Sequence, residues 1–334
     1  MRKLLFLLIF VAALWSGYWV VGSSALRNGA EEWFAEQSAS GMTAEKTALT
    51  VRGFPNRFDL TVEGLRLADP QTGIGWEAPF AQLLAMTWKP WHIIAALPPQ
   101  QTIRLPDEDI GIESEGLRAS LRAKPATDLP LAAVIVESGA FLATSTLGWT
   151  TGADAAVASI VAVDGQSGAY DLALDVKGLA PDPALMDRLT TDSGLPGTVA
   201  VIRLLARATL TAPLDRNVGE TQPQLAALQL TDTLVTWGDL SVVASGSIAP
   251  DAEGYAAGRI EIAVTNWERL VPVLVASGAI KPELSQTVQN MLAALAKEGG
   301  DPAILKLPLV LAEGRMSLGP LPLGPAPLMQ GPTG

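Results

Sequence analysis

Alternation of apolar and polar residues with a period of two runs through most of this chain and constrains its fold more than any other feature. The segment AYDLALDVKGL (169–179) shows it most clearly, because Leu172, Leu174 and Val176 fall on one face and Asp171, Asp175 and Lys177 on the other. Successive side chains of a β-strand point to opposite faces of the sheet. The pattern therefore predicts strands with one apolar face.

Similar segments recur from residue 43 to residue 320, separated by turns rich in Gly, Pro and Asp. They predict a mostly β fold, in which a long curved antiparallel sheet is built as a meander of hairpins. Helical periodicity predicts helices near 183–194 and a late helical pair within 267–298. The Pro- and Gly-rich residues 321–334 are predicted to form a loose tail.

The N-terminal segment sets the expected location. Arg2 and Lys3 precede residues 4–21, a run of 18 residues without a charge. As a helix this run would be about 27 Å long, close to the thickness of a bilayer's hydrocarbon core. Trp15, Tyr18 and Trp19 are typical of an outer aromatic belt. We therefore predict a single-pass anchor in the inner membrane within residues 1–25, with a cytoplasmic N-terminus and the bulk of the chain in the periplasm.

A cleaved signal segment is the alternative to an anchor. The small residues of GSSAL (22–26) form a weak cleavage site near Ala25, and cleavage there would release the protein into the periplasm. After this site, Leu26, Ala30, Trp33 and Phe34 fall at helical spacing. Residues 26–42 are therefore predicted to be a helical stalk before the β-rich domain.

Composition limits the partners and the kinds of catalytic or metal site that this chain can have. The formal net charge is -11, which disfavours nucleic acid and anionic headgroups as electrostatic partners. The chain has no cysteine, which excludes disulfides, thiolate metal sites and a cysteine nucleophile. His92 is the only histidine, and no G-x-S-x-G occurs. The acidic run PDEDIGIESEG (106–116) does not fit a calcium loop and is predicted to be a solvated loop. No catalytic residue, metal site or cofactor is predicted.

The chain has nine tryptophans against three tyrosines. Two interpretations remain open: these large aromatic side chains pack in the core, or some of them line a groove for a lipid or an acyl chain. If the second holds, the predicted ligand-binding residues of an apolar β groove are Phe58, Leu60, Trp76, Trp88, Leu172 and Leu174.

Several segments together resemble a family of alphaproteobacterial, membrane-anchored proteins that carry a conserved domain of unknown function. These segments are GFPNRFDLTVEGLRL, GIGWEAPFAQLLAMTWKPWHIIAALPPQQTI, GSIAPDAEGYAAGRIEIAVTNWERLVPVLVASGAI and LPLVLAEGRMSLGPLPLGPAP. The resemblance covers nearly the whole chain after the anchor. It implies no catalytic residues, since none is known for that family.

A more distant similarity is to the AsmA-like envelope proteins. They share an N-terminal anchor, an opening strand of the form found at Gly53–Leu60, and hairpins with glycines and an aspartate at the positions of Gly246, Asp251, Gly254 and Gly258. The similarity implies long twisted sheets and a role in phospholipid movement. This chain is far shorter than the largest of them, so the similarity does not imply that it bridges a periplasm alone.

The expected function is therefore non-enzymatic. We predict an inner-membrane-anchored periplasmic protein of envelope maintenance, attached through residues 4–21 and binding a phospholipid or other lipid in a β groove. The alternative is a scaffold that docks a protein partner, of unknown identity, through its sheet edge or its helix pair. Nucleic acid is not an expected partner.

Overall fold

A computed structural model describes residues 1–329 and divides them into two compact units. The first unit comprises Met1–Pro125 and Val134–Trp149, and the second comprises Ala126–Ala133 and the chain from Thr150 onward. The fold is mostly antiparallel β-sheet with a long apolar helix at the N-terminus and a few later helices, and the sheet is not closed. The predicted fold class is confirmed.

The helices differ greatly in length. Within residues 1–329 they are α1 (Arg2–Ala39), α2 (Pro183–Thr190), α3 (Val218–Thr221), α4 (Leu270–Ala276) and α5 (Ser285–Glu298), with 3₁₀ turns at Trp267–Arg269 and Pro282–Leu284. The segment predicted to be a stalk continues α1 without a break as far as Ala39 and packs against the first strands of the sheet.

The first unit contains a branched antiparallel sheet. Its strands are β1 (Thr43–Glu45), β2 (Ala48–Arg52), β3 (Arg57–Asp69), β4 (Ile74–Met86), β5 (Lys89–Ala96), β6 (Gln100–Arg104), β7 (Asp109–Ser114), β8 (Arg118–Ala123), part of β9 (Leu131–Ser138), and β10 (Phe141–Ser145). Both β1 and β2 pair with β3, and β3 pairs with β4 along its whole length. One edge of β4 is shared, since β5 pairs with one end of it and β6 with the other. From there β5 pairs with β8, β6 with β7, and β7 with β10.

This branching departs from the predicted meander. β4 has 13 residues, whereas β5 has 8 and β6 has 5, so two short strands fit along one edge of β4. Pro98 and Pro99 lie between β5 and β6, and proline cannot continue a ladder of hydrogen bonds. The two short strands therefore separate and each begins its own branch.

The second unit keeps the meander. Its strands are β11 (Thr150–Ala153), β12 (Ala155–Ala162), β13 (Ala169–Leu179), β14 (Val199–Leu210), β15 (Leu225–Trp237), β16 (Leu240–Pro250), β17 (Ala256–Thr265), β18 (Ile304–Ala312), β19 (Arg315–Leu318) and β20 (Leu321–Pro325). From β12 to β20 each strand pairs antiparallel with the next. This register places charged residues of β13 opposite charged residues of β14. Asp171 faces Arg207 and Asp175 faces Arg203, and both pairs are hydrogen-bonded.

The glycine and aspartate hairpin motif has a structural role in the β16–β17 pair. A Cβ on Gly246 would lie 2.2 Å from the carbonyl oxygen of Arg259, so only glycine fits there without a shift of the backbone. At the turn, the Asp251 carboxylate accepts hydrogen bonds from the backbone N–H groups of Glu253 and Tyr255, at 3.1 and 2.8 Å. The motif therefore specifies a tight hairpin and carries no chemistry of its own.

The helical pair covers the core of the second unit. Trp267 is 2% exposed, and its indole N–H donates to the carbonyl of Pro302 at 3.0 Å. Val271 of α4 and Leu292 of α5 are buried in the same cluster as Leu305 of β18. The apolar faces of α4 and α5 are thus occupied by their own sheet.

Two sequence predictions are wrong. Residues 321–334 were expected to be a loose tail, but Leu321–Pro325 form β20 and pair with β19, because the short turn after Leu318 brings the chain back along that strand. Residues 330–334 lie outside the described residues. The acidic run at 106–116 was expected to be a loop, but Asp109–Ser114 form β7, since the ladders of β6 and β10 satisfy its backbone on both sides.

Candidate functional site

An apolar groove of about 580 Å³ lies in the first unit, between the second half of α1 and one face of strands β3 to β5. Among its described lining residues Gln82 is the only one with a polar side chain apart from the indole N–H of tryptophan. The helix contributes Ala25, Leu26, Gly29, Ala30, Trp33 and Phe34, and the sheet contributes Leu60, Val62, Leu65, Leu67, Trp76, Ala81, Gln82, Leu83, Ala95 and Leu97.

The alternation of β3 brings its apolar residues to the floor of the groove. Leu60 and Val62 are 4% and 8% exposed, and after an irregular step at Gly64 the phase resumes with Leu65 at 6%. Gly64 has φ of +57°, a left-handed conformation that a residue with a Cβ adopts at a cost. This one residue keeps Leu65 and Leu67 on the same face as Leu60 and Val62, although the spacing changes from two to three.

Three aromatic residues fix the first half of α1 to the sheet. The indole N–H of Trp15 donates to the carbonyl of Pro55 at 3.0 Å, and that of Trp19 donates to the carbonyl of Arg57 at 2.8 Å. The Tyr18 hydroxyl donates to the carbonyl of Thr87 at 2.7 Å. The residues that the sequence indicated as an aromatic belt therefore also hold backbone groups of the β2–β3 and β4–β5 connections.

Close packing at Gly22 closes the groove at this end. A Cβ on Gly22 would lie 2.6 Å from the ring of Phe58, so glycine allows the helix to approach the strand closely. The rings of Tyr18 and Trp19 each lie 6.3 Å from the Phe58 ring, centroid to centroid. Phe58 is 8% exposed as a result.

The other end of the groove is closed around Phe34. This side chain is 6% exposed and packs with Leu49 and Leu60. Lys46 lies 4.9 Å from the centre of the Phe34 ring, a cation–π arrangement, and its ammonium group pairs with Glu31 at 2.6 Å. The helix is therefore fixed to the sheet at both ends of the groove.

Between these two contacts the helix presents small side chains. A Cβ added to Gly29 would meet nothing within 4 Å, so the space beside it is open. Two polar groups of the lining residues have partners outside the groove: the Trp76 indole N–H donates to Gln101 at 2.8 Å, and the Gln82 amide donates to the Thr61 hydroxyl at 3.2 Å. What remains is an apolar surface that can accept an apolar ligand without leaving a buried polar group unpaired.

The structure separates the six residues predicted to bind a ligand. Leu60 and Trp76 line the groove, and Phe58 lies at the end closed by Gly22. Trp88 is 54% exposed in the turn between β4 and β5. Leu172 and Leu174 lie on β13 of the second unit, opposite Ala206 and Leu204, and are not among the lining residues.

The helical wall of the groove was missed by sequence reasoning. Leu26, Ala30, Trp33 and Phe34 were recognised at helical spacing, but the helix was interpreted as a stalk. The signal that points to close packing is the small residues Gly22, Ala25 and Gly29, which recur at spacings of three and four on the same side of the helix.

A larger depression of about 930 Å³ on the first unit has a different character. Its arginines are already paired, because Glu77 accepts from Arg66 at 2.9 Å and from Arg104 at 3.1 Å, and Glu45 lies 3.7 Å from Arg66. These charges neutralise one another on the polar face of the sheet, and they leave no cation uncompensated for an anionic ligand.

In the part of the chain that the structure describes, His92 and the acidic side chains are the groups from which a catalytic or metal site could be built. The His92 ring lies 3.0 Å from the Ser120 hydroxyl across the β5–β8 pair, a two-residue contact without the third, orienting group of a triad. Among residues 1–329 there is no group of three or more His, Cys, Asp or Glu side chains that could hold a metal ion. Glu108, in the acidic run, accepts hydrogen bonds from Ser145 and Trp149.

Comparison with known proteins places the chain in a family. No curated protein and no solved structure matches it. Residues 19–327 match the model of the family described as "Uncharacterized protein conserved in bacteria (DUF2125)". The match begins within α1, so it includes the half of the helix that lines the groove as well as the strands of both units. The chain therefore belongs to this family of uncharacterized bacterial proteins.

Proposed function

We propose that this chain is a non-enzymatic, single-pass inner-membrane protein that binds one lipid acyl chain in the groove between α1 and strands β3 to β5. Its bulk lies in the periplasm, where it serves envelope maintenance. One observation carries the proposal: the apolar groove has a helical wall that continues directly into the uncharged residues 4–21. The groove therefore lies just beyond the end of that run, beside the proposed bilayer surface.

The dimensions of the groove suit one acyl chain. The closed contacts at Gly22 and Phe34 are separated by about 18 Å along the helix at 1.5 Å per residue. One acyl chain spans half of a hydrocarbon core that is about 30 Å thick, or about 15 Å. The volume of about 580 Å³ also lies within the range of small-molecule sites.

The energetics favour exchange over tight retention. Moving a chain from the bilayer into the groove transfers it between two apolar surroundings, so the hydrophobic effect contributes little net free energy. Affinity then depends on how well the groove walls pack around the chain. Such a site is suited to a protein that takes up and returns a membrane lipid.

The contacts of α1 support an anchor that is retained. Trp15, Tyr18 and Trp19 all lie before the predicted cleavage site near Ala25, and all three donate to the sheet. The described helix from Arg2 to Ala39 is also long and apolar enough to cross a membrane. We expect the mature protein to retain residues 15–25, which intact mass measurement of the membrane fraction will check.

The AsmA-like similarity stays a prediction and supports the same role, because those proteins are implicated in phospholipid movement. The alternative of a protein scaffold has less support at the helix pair. The apolar residues Val271 and Leu292 of α4 and α5 are buried against their own sheet and are not available to a partner.

Photocrosslinking tests the acyl-chain site. Full-length protein is reconstituted with a phospholipid that carries a photoreactive group in its acyl chain, and labelled peptides are identified by mass spectrometry. We expect labelling within β3 and β4, at residues 60–67 and 76–83. Lipid that merely surrounds the anchor would label residues 4–21 only, and that result would contradict the proposal.

The substitution Gly29→Leu, on the helical wall of the groove, tests whether the labelling depends on the groove. A leucine there enters the open space of the groove and should abolish labelling of β3 and β4. Gly17→Leu is the control, because Gly17 also lies on α1 with nothing within 4 Å of an added Cβ but does not line the groove. Equal labelling of the two variants would exclude the groove as the binding site.

A further inference from the structure

Two connections at one end of the first unit lie beside the apolar part of α1. The β2–β3 connection contains Phe54 and Pro55, and the β4–β5 turn consists of Thr87 and Trp88. We refer to these two connections as the hairpin tips. A hydrogen bond from Trp15 reaches the first tip, and one from Tyr18 reaches the second. The Trp19 ring also packs edge-on against the Phe54 ring of the first tip, with centroids 5.4 Å apart. The tips are therefore fixed at the level of residues 15–19.

That level lies inside the uncharged run of α1. Residues 15–19 precede Val21, the last residue of the run, by two to six positions. At 1.5 Å per residue this places the tips about 3 to 9 Å below the end of the run. Interfacial protein segments penetrate about 5–10 Å into the boundary between headgroups and acyl chains. The two depths agree.

The side chains of the tips suit this environment. Phe54 is 56% exposed and Trp88 is 54% exposed, and neither contributes to the described core. Aromatic side chains are enriched at the membrane–water interface. Arg52 and Lys89, which flank the two tips, are also exposed, so this end of an acidic chain has positive charges where anionic headgroups would lie.

We infer that both hairpin tips insert into the outer interface of the membrane that α1 spans. Phe54 and Trp88 then lie at the boundary between headgroups and acyl chains, and Arg52 and Lys89 face anionic phosphates. The inference rests on the membrane anchoring in the proposed function, but not on acyl-chain binding. The first unit is then held by its helix and by two further points, which fixes its orientation relative to the bilayer. The end of the groove at Gly22 would lie close to the membrane surface.

Fluorophore labelling measures the insertion directly. The chain has no cysteine, so single-cysteine variants of the full-length protein need no further changes. Phe54→Cys and Trp88→Cys report on the tips, and Leu14→Cys, on an exposed residue of the helix, reports on the anchor. Gln71→Cys is the matched control, because Gln71 lies in the turn at the opposite end of the β3–β4 pair. Each is labelled and reconstituted in vesicles of phosphatidylcholine and phosphatidylglycerol that contain lipids with a spin-labelled acyl chain.

The expected result is quenching by the spin-labelled lipid at positions 14, 54 and 88 that is several-fold stronger than at position 71. Strong quenching at 14 with none at 54 and 88 would overturn the insertion and leave the anchor intact. An absence of quenching at all four positions would overturn both the insertion and the anchor. Equal quenching at 54, 88 and 71 would show non-specific adsorption of the sheet and would also refute the inference.

Discussion

At the scale of single residues, Gly64 determines which side chains of β3 reach the groove. Its φ of +57° makes alanine unfavourable there, and an added Cβ would lie 2.6 Å from the Thr47 side chain. We expect Gly64→Ala to lower the free energy of local opening. A left-handed alanine by itself costs about 1–2 kcal/mol, and the contact with Thr47 should add to that cost. Hydrogen exchange of the β3 and β4 amides measures this free energy.

Gly116→Ala is the matched control for this prediction. Gly116 has a similar φ of +64°, but a Cβ there would meet nothing within 4 Å. It therefore isolates the cost of backbone conformation from the cost of the contact with Thr47. Equal destabilisation by the two substitutions would show that the contact with Thr47 is relieved without cost.

The residue scale also shows what the sequence could predict about the site. Alternation correctly places Leu60 and Trp76 on an apolar face, but Leu172 and Leu174 have the same pattern and lie in the second unit. A period of two reports that one face of a strand is apolar; it does not report which element covers that face. The covering element is α1, and its role depends on contacts such as Gly22 with Phe58 that are 36 positions apart in the chain.

Asp69 offers a pH-dependent prediction in the β3–β4 turn. The backbone N–H of Gln71, at 2.8 Å, and the Thr72 hydroxyl, at 2.9 Å, donate to its carboxylate and lower the pKa of Asp69 below the ordinary value of 3.8. Because the folded-state pKa is depressed, the stabilisation of the turn is complete above the unfolded-state pKa and is lost as the pH falls through the folded-state pKa. The turn should therefore be insensitive to pH near neutrality and weaken only below about pH 4, near the unperturbed value for aspartate.

Carboxyl NMR titration checks this assignment. Thr72→Val removes one donor but retains the shape of the side chain, so the pKa of Asp69 should rise towards its ordinary value while remaining below it, since the Gln71 N–H still donates. An unchanged pKa in the variant would mean that the threonine hydroxyl does not act on the carboxylate in solution.

At the scale of elements, the helical pair of the second unit shows which buried residues helical periodicity predicts and where that prediction fails. Leu284, Val288, Met291, Leu292 and Leu295 recur at helical spacing, which indicates one apolar face. Leu292 is 6% exposed, and Val288, Met291 and Leu295 pack against the same cluster. Leu284 is 51% exposed instead, because it ends the 3₁₀ turn Pro282–Leu284 before α5 begins. Periodicity identifies the helix, whereas its first turn is decided by local geometry.

This difference gives a pair of variants with the same chemistry. Leu292→Ala should destabilise the second unit by about 2–5 kcal/mol, because it leaves a cavity beneath α5. Leu284→Ala should change stability by less than about 0.5 kcal/mol, since its side chain is largely in solvent. Hydrogen exchange of the β18 amides, against which α5 packs, distinguishes them. Comparable effects of the two substitutions would place Leu284 in the core.

At the scale of the whole molecule, the sequence divides the chain at the membrane surface, into an anchor, a stalk and a soluble domain. The structure describes one continuous helix whose residues 15–34 belong to the folded first unit. The sequence could not show this, because an exposed apolar helix and a helix packed along a sheet have the same composition in that segment. The helix that we propose as the anchor is thus also part of the fold.

Removal of residues 2–24 tests this dual role. The truncation mimics cleavage near Ala25 and deletes the hydrogen bonds from Trp15, Tyr18 and Trp19 together with the Gly22 contact that buries Phe58. Each lost hydrogen bond should cost about 0.5–1.5 kcal/mol, in addition to the exposure of Phe58.

Amides of β3 around Phe58 should therefore exchange faster, by an amount corresponding to a few kcal/mol of opening free energy. Amides of β13 and β14 in the second unit are the internal control and should be unchanged, since the contacts described above for α1 are with residues of the first unit. Full protection of β3 in the truncated chain would mean that the first unit folds without its anchor, and a cleaved periplasmic form would then be as well folded as the membrane-bound one.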